Sequence, residues 1–150
     1  MPILFHTGIL ALPGSRQENF APIHLGTISG AFGELPLIGA HFGLQWYWEC
    51  ILLAGQYPNV YFDLSGGTWR YFPVDFFRPW FERVERNQVN EPPQMDWSLA
   101  RRFVFGSDNP DDTLEFYENL LFGLGAPQDV QDAIYYGNAC EIFGLDPDAL

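Results

Sequence analysis

Four short apolar runs, each followed by a stretch of helical character, predict an α/β fold built on a parallel sheet. The runs are PILFH (2–6), LIGAH (37–41), VYFDL (60–64) and FVFGSD (103–108). Each is nearly continuous in apolar character, the pattern of a strand covered on both faces. Their starts lie about 35, 23 and 43 residues apart, room enough for a right-handed crossover between parallel neighbours. Those spacings suit a (β/α) barrel or a doubly wound sheet, and the residues alone leave both open. No GxGxxG or P-loop pattern follows any run, so a nucleotide-binding reading has no support.

In chain order, PILFH leads into NFAPIHLGTISGAF (19–32), with Pro22 suited to a first helical turn. LIGAH leads into LQWYWECILLAGQYP (44–58), a helix that Gly55 and Pro58 bring to an end. VYFDL leads into PVDFFRPWFERVERNQ (73–88), which Pro79 must kink or split. The Pro- and Asn-rich NQVNEPPQM (87–95) is a loop placed to lie over a site. FVFGSD leads into DDTLEFYENLLFGLG (111–125), with Asp111 and Asp112 as cap and dipole partners, and then into APQDVQDAIYYGNACEIFGL (126–145).

With 150 residues, the chain is long enough for one domain with a real core. Hydrophobic residues at 47% and aromatics at 17% exclude a disordered chain. The net charge of -12, with seven Arg and no Lys, argues against a nucleic-acid partner and against an anionic membrane surface. Cys50 and Cys140 are too few for a disulfide scaffold and read as small buried thiols. No apolar run reaches the roughly 18 residues of a membrane span, and no basic-then-apolar leader opens the sequence, so a cytoplasmic location is expected.

The ends of the four runs carry the chemistry: His6, His41, Asp63 and Asp108. In parallel α/β folds the ligand site lies at the carboxyl ends of the strands. Two imidazoles and two carboxylates delivered there are groups that zinc accepts. Each residue also has an ordinary role open to it. Asp108 can serve as a turn or cap before the helix near Asp111, and Asp63 can bond the loop that follows it. His24 falls inside a helical pattern and reads as structural or exposed.

The same segments carry a family resemblance. PILFHTG, LPLIGAHFG, YPNVYFDLSG, RFVFGSDNP and NACEIFGL, in that order from residue 2 to about 145, resemble the later half of an amidohydrolase-related protein. These are the metal-dependent TIM-barrel hydrolases and decarboxylases. The resemblance implies that residues 1–150 form one partial barrel domain, with parallel (β/α) units corresponding to strands five to eight of a TIM barrel. It implies a divalent metal, zinc or else manganese, bound by His6 and Asp108, with Asp108 also the general base. It implies that His41 polarises substrate or water, or binds a second metal. For Asp63 it implies no fixed role.

The family's first strand carries a His-x-His pair, and this sequence has none. The expectation is therefore a fragment or truncated form of a longer enzyme, or a half barrel completed by association. A catalytic zinc normally takes three protein ligands plus water, and His6 with Asp108 supplies two. Completion by a separately encoded N-terminal half is one route. A homodimer is another, its two-fold axis bringing His6 of one copy beside Asp108 of the other.

In a complete site the metal would lower the pKa of water, Asp108 would take the proton, and His41 would donate to the developing oxyanion. Trp69, Tyr71 and Phe72 would wall the pocket of a small-molecule substrate and Arg70 would meet a substrate carboxylate, unless core packing claims the aromatics. The alternatives are non-oxidative decarboxylation of a small carboxylic acid, or a non-catalytic subunit that needs a partner half.

Overall fold

The structure, a computed structural model, describes residues 1–10, 12–66, 69–83, 92–108 and 111–149. Its centre is a four-stranded parallel sheet of β1 (Ile3–His6), β2 (Leu37–Ala40), β3 (Val60–Asp63) and β6 (Phe103–Val104), in the order β1-β2-β3-β6. Leu4 stands opposite Ile38 and Ile38 opposite Tyr61, so one residue parity faces the same side across the first three strands. Every residue of β2 and β3 is buried, as their continuous apolar runs require. β1 is an edge, and Leu4 on it is 64% exposed.

Leu37, Val60, Phe62 and Phe103 point into the main core. They meet Leu25 of α1 (Ile23–Ala31), Cys50 and Leu53 of α2 (Tyr47–Gln56), and side chains of the helix that follows β6. On the opposite face Ile38, Tyr61 and Val104 form a smaller cluster with Ile142 and Ala139. Both cysteines are free and buried, as expected of small core thiols. No helix among the described residues is long and apolar enough to cross a membrane.

Several elements depart from the sequence reading. Pro22 stands one residue before α1 rather than inside its first turn. The helix after β2 begins only at Tyr47, because His41, Phe42, Gly43 and Leu44 all have positive φ (67°, 45°, 64° and 46°). Pro79 does split its segment, into α3 (Val74–Phe77) and a 3₁₀ turn over Arg78–Trp80. Beyond it the expected helix fails: β4 (Glu82–Arg83) pairs antiparallel with β5 (Gln94–Met95). Residues 84–91, which include the first part of the expected 87–95 loop, lie outside the described residues.

β6 covers only two residues of the expected run. Phe105 donates its N–H to Ile134 O instead of a neighbouring strand. Gly106 then passes so close to β3 that a Cβ on it would lie 2.9 Å from Cγ of Asp63. α4 (Thr113–Leu124) follows, with Asp112 at its N-cap position but no side-chain cap bond. α5 (Gln128–Asp132), a π-helical turn (Ala133–Gly137) and α6 (Asn138–Phe143) then run on from one another with right-handed helical dihedrals. Two buried side chains tie these helices to the sheet. Tyr117 of α4 accepts from Leu64 N and donates to Val104 O, joining β3 to β6. Asn138 of α6 donates to the carbonyls of Ala100 and Phe103 (2.9 and 2.6 Å), holding the start of β6.

Candidate active site at the carboxyl ends of the strands

The four residues at the run ends occupy three kinds of position. His6 and Asp63 are the last residues of β1 and β3. His41 lies just past β2, and Asp108 lies well beyond β6 in a left-handed conformation (φ 53°). The reading of all four as strand-terminal residues is thus corrected for two of them. Left-handed backbone is one that Asp tolerates better than most residues, which suits Asp108 to the turn it occupies.

The His6 ring meets Phe20 edge-on at 5.4 Å between centroids and His41 at 4.8 Å. Its Nε2 is shielded from solvent and has no hydrogen-bond partner, although the residue as a whole is half-buried. Burial is the main force pushing the His6 pKa down, aided by His41; the backbone of Ile9 and the Asp108 carboxylate pull it the other way. The neutral ring is therefore favoured, and the neutral ring is the form that binds a metal.

His41 is held by bonds from distant parts of the chain. Its N–H donates to Oδ1 of Asp63 at 3.0 Å, and the same oxygen accepts from Ser65 N at 2.8 Å. Its carbonyl accepts from the Trp69 indole at 2.8 Å. Nδ1 lies 3.1 Å from Ser65 O and 2.9 Å from Ser65 Oγ. Ser65 thus engages Nδ1 through both its carbonyl and its hydroxyl, and Nε2 is left for other partners. Thr7 secures the strained turn from below, donating to Ala40 O and accepting from Gly43 N. Four consecutive positive φ values persist because these contacts over-determine them.

Gly66 brings Asp108 into the same place. With φ of 83°, it approaches so closely that a Cβ on it would lie 3.1 Å from His41 Nδ1 and 3.5 Å from Asp108 Oδ2. His6, His41 and Asp108 therefore gather at one end of the sheet, with buried Asp63 beneath as the support of His41. The loop-bonding role open to Asp63 in the sequence is the one it fills, and it extends to His41.

The aromatic segment divides. Trp69 is 1% exposed and packs against Phe72, Phe76, Phe77 and Trp80. Trp69 and Phe72 also line an apolar cavity of about 480 Å³ with Ile9, Leu44, Gln45, Tyr47 and Phe76. Arg70 and Tyr71 are not among its walls. Arg70 is ion-paired with Asp112 and lies over the ring of Tyr71, which is 80% exposed. His24 is exposed, with Nε2 3.0 Å from Glu18 O. Sequence reasoning missed Thr7, Ser65, Gly66 and Leu44. The Asp-x-Ser-Gly pattern after β3 is the signal that pointed to two of them.

The donor chemistry suits a divalent ion, and Nε2 of His6, shielded and without a hydrogen-bond partner, has the character of a ligand. Yet among the described residues no three His, Cys, Asp or Glu side chains stand close enough together to hold a metal. The fit is to part of a metal site.

A family model described as amidohydrolase matches residues 1–145. The chain belongs to the amidohydrolase family. An uncharacterized TIM-barrel protein from Bordetella bronchiseptica, known from its crystal structure, is similar at 26% identity with a TM-score of 0.61. The match covers 96% of this chain and 46% of that protein, so this amidohydrolase sequence spans about half its length. No curated protein matches the chain. The β1-β2-β3-β6 sheet is accordingly that of a partial barrel.

Proposed function

We propose that this chain provides the second-half strand ends of a metal-dependent hydrolase site acting on a carbonyl-type carbon. The observation that carries the reading is the unpartnered, shielded Nε2 of His6, set beside His41 and within the electrostatic reach of Asp108. His6 and Asp108 are the residues that would hold the ion, zinc or manganese, and the bound ion would supply Lewis acidity and lower the pKa of water. Asp108 accepts the proton as water attacks and returns it to the leaving group. His41, its ring fixed through Nδ1 by Ser65 and its backbone by Asp63, presents Nε2 to the carbonyl oxygen as a hydrogen-bond donor. The remaining ligands come from outside this set: from an N-terminal half bearing His-x-His, or from a second copy joined along the β1 and β6 edges.

Zinc and manganese titration by calorimetry tests the reading, with His6→Ala and Asp108→Ala beside the parent chain and mass measured by light scattering. Binding weakened at least tenfold in both variants supports it. Binding that neither substitution changes refutes it.

A further inference from the structure

The apolar cavity of about 480 Å³ belongs to the same end of the sheet as His6 and His41, and the proposed hydrolase reading does not use it. Its walls come from three successive loops. Ile9 follows β1 by three residues, Leu44 and Gln45 follow β2, and Trp69 and Phe72 follow β3, with Tyr47 and Phe76 closing it from α2 and α3. Each of those loops also carries or contacts a residue of the site. His6 precedes Ile9, His41 opens the turn that ends at Leu44, and the Trp69 indole bonds the His41 carbonyl.

Among the described residues no charged side chain lines the cavity, and Gln45 offers the one side-chain amide among its walls. In a chain of net charge -12 that is a selective environment. It desolvates an uncharged body at no electrostatic cost and penalises an ion of either sign. The volume falls in the usual range for small-molecule sites, which are mostly apolar with a few polar groups to orient the ligand. Tyr47, Trp69, Phe72 and Phe76 present rings, whose faces and edges suit another ring better than a flexible chain. Leu44 is put in this wall by the strained turn: its φ is 46°, and it packs on Gly8, where a Cβ would lie 3.1 Å from it. The chain thus sustains an unfavourable backbone to complete an apolar wall beside a polar site.

We infer that the cavity holds an uncharged aromatic or alicyclic ring of the substrate, with the scissile carbonyl directed toward His41. This rests on the hydrolase reading for what happens at the carbonyl, but ring binding itself needs neither His6 nor Asp108. The two ideas therefore fail separately.

The test is fluorescence titration of the chain with the neutral probe N-phenyl-1-naphthylamine, followed by its displacement with naphthalene-2-carboxamide or naphthalene-2-carboxylate. The variants are Ile9→Trp, which fills the rim from a position already 52% exposed, and Phe122→Ala, an 87% exposed control on α4. Saturable one-to-one binding is expected, weakened at least tenfold by Ile9→Trp and unchanged by Phe122→Ala, with the amide displacing the probe better than the carboxylate. Absence of saturable binding, as when a chain segment covers the cavity, overturns the inference. So does full affinity in Ile9→Trp, or preference for the carboxylate. Probe binding that survives while His6→Ala and Asp108→Ala both leave metal binding unchanged keeps the cavity assigned and removes only the hydrolase reading.

Discussion

Replacing Tyr117 by Phe removes one oxygen and leaves a ring of nearly the same shape. The hydroxyl it deletes accepts from Leu64 N at 2.9 Å and donates to Val104 O at 3.3 Å, and all three residues are buried. Leu64 N then has a lost acceptor in a site closed to water, worth about 1–3 kcal/mol, while the longer bond to an under-satisfied carbonyl adds less. Tyr117→Phe should therefore destabilise by roughly 2–3 kcal/mol. With an m-value of about 2 kcal/mol/M for a chain this size, the urea midpoint drops by about 1 M. The pH dependence supplies a second reading. Burial, and after it the Asp63 carboxylate, hold the Tyr117 pKa far above its ordinary value. The unfolded chain thus loses this proton near pH 10 while the folded chain keeps it, so the stability the tyrosine contributes is whole below that pH and declines above it. Between pH 7 and pH 11 the gap between parent and variant should narrow by about 1.4 kcal/mol. Urea denaturation followed by far-UV circular dichroism at both pH values measures it. A change below about 0.5 kcal/mol at pH 7, or a gap that widens with pH, would refute the claim that this hydroxyl ties β3 to β6.

Two further substitutions test the supports of the site and sheet. Gly66→Ala should cost about 1–2 kcal/mol, since φ of 83° strains any other residue. It should also shift the His41 ring resonances in proton–carbon NMR while those of exposed His24 stay in place; an unmoved His41 would mean that the close approach is not real. Asn138→Ala strands the Ala100 and Phe103 carbonyls, a loss of roughly 2–4 kcal/mol by thermal or urea unfolding. Asn138→Asp should be worse at neutral pH and recover on acidification, when a protonated carboxyl regains a donor. An Asp variant that is indifferent to pH would show that these bonds do not hold the start of β6.

The strands were legible because burial on both faces writes itself into consecutive apolar residues, and β2 and β3 follow their runs closely. Phe103–Asp108 was overread because Phe105 and Gly106 look like strand residues locally. Their fate is decided by Ile134 and Asp63, about 30 and 43 residues away. The turn at His41–Leu44 was illegible for the same reason. Asp63, Thr7 and Trp69 hold it, and a residue-by-residue propensity has no account of them. Of the three aromatics that the sequence offers as walls of a substrate pocket, Trp69 and Phe72 line the cavity and Tyr71 does not, whereas Arg70 finds its partner in Asp112, which the sequence offers as a cap. Charge alone did not reveal which carboxylate an arginine would meet.

The way the bonds are distributed across the sheet bears on how the site is completed. Around β2 and β3 the polar groups are closed upon one another: Asp63 bonds His41 and Ser65, and the hydroxyl of Thr7 bonds Ala40 and Gly43. At the β1 edge the pattern changes. Leu4 is exposed and Nε2 of His6 has no partner, and both belong to the residue parity that Ile38 and Tyr61 share. A buried imidazole nitrogen without a bond is costly, and an apolar side chain on an open edge invites another strand. One structural addition answers both: a further parallel strand beside β1, burying Leu4 and bringing a donor or a shared ion to His6. On this reasoning metal affinity and closure of the β1 edge rise together, and a chain that bound zinc tightly with Leu4 still exposed would break the link between them.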